Sequence, residues 1–136
     1  MKLSLNTIQC LRGNGIQQQK LLCVRSKGEA LFYLPGGKPE SGETHEDTLI
    51  RELREELSIH LKRDSLAYFD TYRTVAAGKS KDTFVTCHCY FADYYSEPHP
   101  SSEIEEIQWL GIQDMKRCSL LVQSTVDSLM TKGLIG

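Results

Sequence analysis

Three glutamates, Glu52, Glu55 and Glu56, stand at i, i+3 and i+4 in the run Arg51-Glu-Leu-Arg-Glu-Glu-Leu57. Each residue of an α-helix turns by about 100°, so with Glu52 at zero, Glu55 falls near −60° and Glu56 near +40°. The three carboxylates therefore share one face. Leu49, Ile50, Leu53 and Leu57 fall between about 60° and 160°, the stripe expected to bury against a sheet. Like charges at these spacings repel by about 0.2–0.5 kcal/mol per pair. The nearest other residues on that face, Thr48 and Ile59, bring no positive charge. Two readings stand: a solvated acidic face, or an oxygen-rich, cation-poor cluster of the kind a hard divalent ion such as Mg²⁺ takes.

The segment before this run tips the balance toward an ion. Pro35-Gly36-Gly37 and Gly42 permit backbone conformations that side-chain-bearing residues adopt poorly, and let a ligand approach the main chain. Lys38 adds a point charge suited to phosphate oxygens, and Glu43 lies where a helix N-terminus favours a carboxylate. Thr44 with Asp47 has the form of a capping box, which sets a helix from about Thr44 to Leu57.

The remaining elements must position that helix. Leu3 to Leu11 alternates and precedes Arg12-Gly13-Asn14-Gly15, a hairpin-type turn, with Lys20 to Arg25 as the returning strand. Leu31 to Leu34 reads as a short strand stopped by Pro35-Gly36-Gly37. Leu66 to Val75 and Thr83 to Tyr95 read as longer strands, and Ile104 to Leu110 as another. From Ile112 to about Lys132 a short helix precedes a longer one carrying Leu120, Leu121, Val126, Leu129 and Met130. Strands and helices mixed in one chain of 136 residues predict a single α/β (α+β) layered domain over residues 1–136.

The composition, 16 Lys+Arg against 18 Asp+Glu for a net charge of −2, gives no extended basic surface for nucleic acid. Seven of those acids, at 40, 43, 46, 47, 52, 55 and 56, crowd into one stretch, so a mild net charge conceals a strongly acidic locality. No apolar run approaches the ~20 residues of a membrane-spanning helix, and the N-terminus lacks a signal-peptide pattern. The five cysteines are odd in number and unpaired in spacing, which reads as reduced thiols and a cytoplasmic location. Cys87-His88-Cys89 is no zinc site, because in a strand His88 points away from both sulfurs. Gly78-Lys79-Ser80 ends like a P-loop, but Arg73 stands where that motif needs glycine.

Residues 37–59 resemble the signature box of the Nudix hydrolases, G-x5-E-x7-R-E-U-x-E-E-x-G-U with U aliphatic. Gly37, Glu43, Arg51, Glu52, Leu53, Glu55, Glu56 and Ile59 match, eight of the nine fixed positions, and Ser58 replaces the glycine that ends the helix. The resemblance implies a Nudix-type α/β/α sandwich with a mixed central sheet. It further implies a Mg²⁺- or Mn²⁺-dependent pyrophosphohydrolase acting on a small-molecule nucleoside diphosphate derivative. By the same resemblance Glu52, Glu55 and Glu56 are metal ligands and catalytic, with Glu52 assigned the base. Gly36 offers a backbone carbonyl to the metal, while Glu43 and Arg51 form a supporting salt bridge beside Gly37. A fourth carboxylate comes from the Glu103, Glu105, Glu106 segment before Trp109, with Glu103 favoured.

Lys38 and Arg73 are the phosphate-binding candidates, with Lys79 a further basic residue. Phe32, Tyr33, Tyr72, Phe84, Tyr90 and Trp109 are stacking candidates that read first as core. Among the family's substrate classes, the proline that marks ADP-ribose hydrolases is replaced by Val75, and Tyr72 lies too near the box for the dinucleoside polyphosphate mark. Size and the absence of an added domain point to the MutT-like nucleoside triphosphate group, as a monomer or homodimer, with nucleotide sugars and dinucleoside polyphosphates as alternatives. The rival reading is a Nudix-fold module that senses a nucleotide without cleaving it. Retention of all three box glutamates argues against it.

Overall fold

In the computed structural model the chain is described over residues 3–12, 20–75 and 83–133. Eight strands and two α-helices run in the order β1 (Leu3–Arg12), β2 (Leu21–Ser26), β3 (Gly36–Gly37), α1 (His45–Leu57), β4 (His60–Leu61), β5 (Ala67–Val75), β6 (Thr83–Ala92), β7 (Tyr94–Tyr95), β8 (Ile104–Leu110) and α2 (Leu120–Thr131). A four-stranded mixed sheet has the order β3-β1-β6-β5, with β1 and β6 parallel and the other pairs antiparallel. Two smaller ladders, β2 with β8 and β4 with β7, complete the strand pairing.

Side chains alternate faces along a strand, and β2 shows what that accomplishes. Leu21 and Cys23 join a core closed by Val122, Val126 and Leu129 of α2. Leu22 and Val24 join a second core closed by Leu49, Leu53 and Leu57 of α1. The helices thus cover opposite faces of the strands, which is the α/β/α sandwich with a mixed sheet expected from the sequence. Leu49, Leu53 and Leu57 are fully buried, each contributing about 1.5–3 kcal/mol relative to exposure.

Helix α1 begins as its sequence dictates. Thr44 Oγ1 accepts from the Asp47 N–H at 3.1 Å, and Asp47 Oδ2 accepts from the Thr44 N–H at 3.3 Å. It ends at Ser58, which takes the left-handed conformation (φ 58°, ψ 31°) usually given to glycine. The Ser58 N–H donates to the Arg54 carbonyl at 3.1 Å.

Three sequence expectations need correction. Residues 31–34 form no strand. The Tyr33 backbone pairs with Val24 in both directions at 2.8 Å, while Phe32 pairs with Arg117 and Ser119 on its other side. The chain there bridges two segments instead of extending one ladder, and Gly36–Gly37, read as the stop, is itself a strand against β1. Second, β2 does not return along β1 as a hairpin; it pairs with β8, and the Gly13-Asn14-Gly15 turn lies outside the described residues. Third, the strand expected over 83–95 breaks at Asp93, whose N–H donates to Ser65 Oγ and whose carbonyl accepts from the Lys62 N–H, both at 2.8 Å. Helix α2 buries Val122, Thr125, Val126 and Leu129, an i, i+3, i+4, i+7 stripe that leaves Leu120 and Met130 exposed.

Cys23, Cys87, Cys89 and Cys118 are buried thiols, in keeping with their reading as small hydrophobes. His88 faces away from Cys87 and Cys89 and stacks on His45 of α1, ring centroids 4.6 Å apart. No helix among the described residues is long and apolar enough to cross a membrane.

Candidate active site

The site forms where the two-residue strand β3 meets the acidic face of α1. Gly36 takes a positive φ of 148°, and its N–H donates to Glu56 Oε1 at 3.1 Å. The sequence reading put the Gly36 carbonyl to use; the structure engages its amide. Glu56 is buried. Burial pushes its carboxyl up to about 8 against the opposing pull of the Gly36 N–H, and the nearby charges of Glu52, Glu103 and Glu55 push the same way. Glu52 is raised as well, by burial above all, with Glu55 and Glu103 adding to it.

Arg51 organises the rest. Its guanidinium donates to Glu43 Oε2 at 2.7 Å and Oε1 at 2.9 Å, a bidentate pairing. It also donates to Glu52 Oε1 at 2.7 Å and to the Lys38 carbonyl at 3.2 Å, and lies 3.6 Å from Glu55 Oε2. The glutamate face is therefore not without counter-charge, as its spacing alone implied: a residue one step from Glu52 folds back over it. The hydrogen bonds from Arg51, with those from the Glu40 N–H and Thr48 Oγ1, hold the Glu43 carboxyl down to about 2. Glu43, Arg51 and the Lys38 carbonyl thus form one brace between the loop and the helix.

Glu103 stands just before β8. It adds to the charge felt by Glu52, Glu56 and Tyr33, whereas Glu105 and Glu106 are paired with Arg25 at 2.9 and 3.0 Å. Lys38 is exposed beside the brace. Arg73 lies exposed on β5, three strands from β3 in the sheet order, a span of roughly 14 Å. Lys79 and the Phe84 side chain lie outside the described parts. Among the other aromatic candidates, Phe32 is buried beneath the guanidinium groups of Arg25 and Arg117, and Tyr90 and Trp109 pack against the α1 core. Tyr72 packs against the α2 core.

Two features escaped the sequence. The Tyr33 hydroxyl pairs with Ser26 Oγ, and burial, with Glu56 and Glu103 nearby, pushes it up to about 12. The segment 99–101 seals the end of α1: the His99 N–H donates to the Leu57 carbonyl at 2.9 Å, the Ser101 N–H to Glu56 O at 2.9 Å, and Ser101 Oγ to Glu55 O. A serine pair after Pro100 is the only sequence mark of that contact.

Among the described residues no three acidic, histidine or cysteine side chains already converge as a finished cage for an ion. Arg51 and the Gly36 N–H occupy Glu52 and Glu56 in its stead. The donor chemistry nevertheless fits a hard divalent cation. Burial and neighbouring negative charge disfavour ionisation of the Glu52 and Glu56 carboxylates, and a cation beside them removes that penalty.

A profile of the NUDIX domain matches residues 10–127. A Bacillus subtilis (strain 168) protein described as an uncharacterized Nudix hydrolase, YvcI, is 32% identical over 101 residues, covering 71% of this chain and 61% of its own length. The chain thus spans about three-fifths of that relative. The MutT Nudix hydrolase of Burkholderia pseudomallei superposes with a TM-score of 0.77 at 19% identity, over 93% of this chain and 98% of that one. The E. coli ORF135 protein gives 0.73 at 17% identity, over 96% and 91%. These two likenesses establish a common fold, and the profile match over most of the sequence establishes descent: the chain belongs to the Nudix family.

Proposed function

We propose that the protein is a divalent-metal-dependent hydrolase that cleaves the pyrophosphate linkage of a nucleoside diphosphate derivative. The observation that carries this reading is Glu56, a buried carboxylate beside Glu52, Glu55 and Glu103, with an amide N–H as its hydrogen-bond partner. Such a group is costly to keep unless a cation joins it. Glu52, Glu55, Glu56 and Glu103 hold the ion, Mg²⁺ or Mn²⁺. When bound, the ion neutralises polyphosphate oxygens and activates water for attack at phosphorus.

The chain's own residues do the rest. Glu52, held against Arg51, is placed to take the proton of the attacking water, the base role the family resemblance assigns it. Arg51 and Glu43 keep the loop fixed against the helix, and Lys38 is placed to meet a phosphate oxygen. One phosphoanhydride P–O bond breaks, one P–O bond to the water oxygen forms, and two phosphate-terminated products leave. A nucleoside triphosphate, giving a monophosphate and pyrophosphate, is the proposed substrate. The likeness in fold to a MutT protein supports that choice over a nucleotide sugar or dinucleoside polyphosphate.

The test is a panel of nucleoside triphosphates, nucleotide sugars and dinucleoside polyphosphates assayed for phosphate or pyrophosphate release with and without Mg²⁺. Metal-dependent turnover, fastest on a triphosphate, is expected. Binding without turnover across the panel identifies a nucleotide sensor instead and overturns the reading.

A further inference from the structure

The last four carbonyls of a helix have no partner within it, and something else must satisfy them. In α1 every one is accounted for, and the source is uneven. Arg54 O takes the Ser58 N–H next in the chain, but Glu55 O, Glu56 O and Leu57 O are all served by residues 99–101. Ser101 alone supplies two of the three, its hydroxyl to Glu55 O and its N–H to Glu56 O at 2.9 Å. Two of the residues so gripped are proposed ion ligands.

The same short segment leads directly to Glu103. The Ser101 carbonyl accepts from the Ile104 N–H at 3.1 Å, closing a tight turn around residues 102 and 103. Ser102 takes a left-handed φ of 58°, and its hydroxyl donates to Glu103 Oε2 at 2.9 Å. On the far side the Glu103 carbonyl accepts from the Lys27 N–H at 2.9 Å. The turn is therefore anchored at one end to Lys27, the residue after β2, and at the other to the backbone of the helix that carries Glu55 and Glu56.

We propose that Ser101 is a positioning residue, fastening the Glu103 turn to the C-terminal carbonyls of α1 so that Glu103 is held in fixed register with Glu55 and Glu56. This rests on the reading of those glutamates as ion ligands. A hydroxyl that bonds the backbone behind a ligand sets where the ligand stands, and loss of such outer contacts typically weakens metal affinity about 10–100-fold.

The experiment measures Mn²⁺ affinity by water-proton relaxation, without substrate, for the wild type, Ser101→Ala, Ser101→Thr, Glu103→Gln and the Ser101→Ala/Glu103→Gln double variant. Urea unfolding is followed in parallel without metal. The expected result is an affinity about tenfold weaker in Ser101→Ala, restored in Ser101→Thr, with no added loss when Ser101→Ala is combined with Glu103→Gln. Unchanged affinity in Ser101→Ala beside weakened affinity in Glu103→Gln overturns the role of Ser101 and leaves the proposed function standing. So does a loss in Ser101→Ala that persists undiminished in the double variant, which marks a general helix cap. Affinity unaffected by Glu103→Gln overturns the inference through Glu103 itself. Failure of the wild type to bind Mn²⁺ overturns the proposed function and this inference together.

Discussion

The carboxylate of Glu52 lies directly against the α-carbon of Gly37: a Cβ built there would come within 2.7 and 2.8 Å of its two oxygens. Space rather than backbone freedom makes glycine necessary at this position. What an added methyl meets is the end of a side chain, so the carboxylate can yield and the backbone need not. Gly37→Ala is therefore expected to unfold within about 1 kcal/mol of the wild type while Mg²⁺-dependent hydrolysis falls on the order of 100-fold, the scale of a displacement of about 1 Å at reacting groups. Urea unfolding and initial rates measured together check this. A stable variant with full activity contradicts the contact.

The brace between Arg51 and Glu43 has a pH signature. Glu43 is held at about 2, below its ordinary value of 4.5. The unfolded chain therefore takes up its proton first as pH falls. The stabilisation is complete above about 4.5 and is lost as pH drops toward about 2. In Glu43→Gln the decline of stability across that window should be shallower than in the wild type. Denaturant titrations at pH 5, 4, 3 and 2.5 measure it, and parallel curves for the two proteins refute the assignment.

His88 adds a second loss on the acid side, at higher pH. Burial and the stacked His45 ring lower the pKa of His88 below its ordinary 6.5, while Thr71 Oγ1 sits 3.0 Å from its Nδ1. Protonation then favours the unfolded chain, so this contribution is intact above about pH 6.5 and declines as pH falls through the lowered value. His88→Gln should flatten the fall in stability between pH 7 and pH 5. Nuclear magnetic resonance titration of the ring checks the direction independently.

Ser58 closes α1 in a conformation that side chains resist. Left-handed geometry costs a non-glycine residue roughly 1–2 kcal/mol, partly offset because glycine is freer when unfolded. Ser58→Gly is expected to raise stability by about 0.5–1 kcal/mol at unchanged activity, read as a higher denaturant midpoint. A lower midpoint would show that the serine side chain contributes something the backbone geometry does not reveal.

What the sequence made legible was local. The cap at Thr44 and Asp47, the leucine stripe and the three co-facial glutamates lie within one helix, where spacing alone fixes relative position. The site's other half was less visible. Glu103 was picked out by resemblance, but Ser101 was not, because its partners are backbone carbonyls 45 and 46 residues away that carry no side-chain mark. Residues 31–34 misled for a related reason. Their apolar pattern is strand-like, yet Phe32 and Tyr33 divide their hydrogen bonds between two separate segments, a choice made by tertiary packing. Arg51 was readable as the partner of Glu43, whereas its reach to the adjacent Glu52 depends on how the side chain folds back.

The account turns on the buried carboxylate of Glu56. Glu56→Gln keeps an acceptor for the Gly36 N–H and removes the charge offered to an ion. The decisive measurement is Mg²⁺-dependent release of pyrophosphate from a nucleoside triphosphate by this variant and the wild type, with circular dichroism confirming a common fold. A loss of about 10²–10³-fold in rate in a folded variant is the expected result. Unchanged pyrophosphate release would contradict the assignment of this glutamate face as the catalytic metal site.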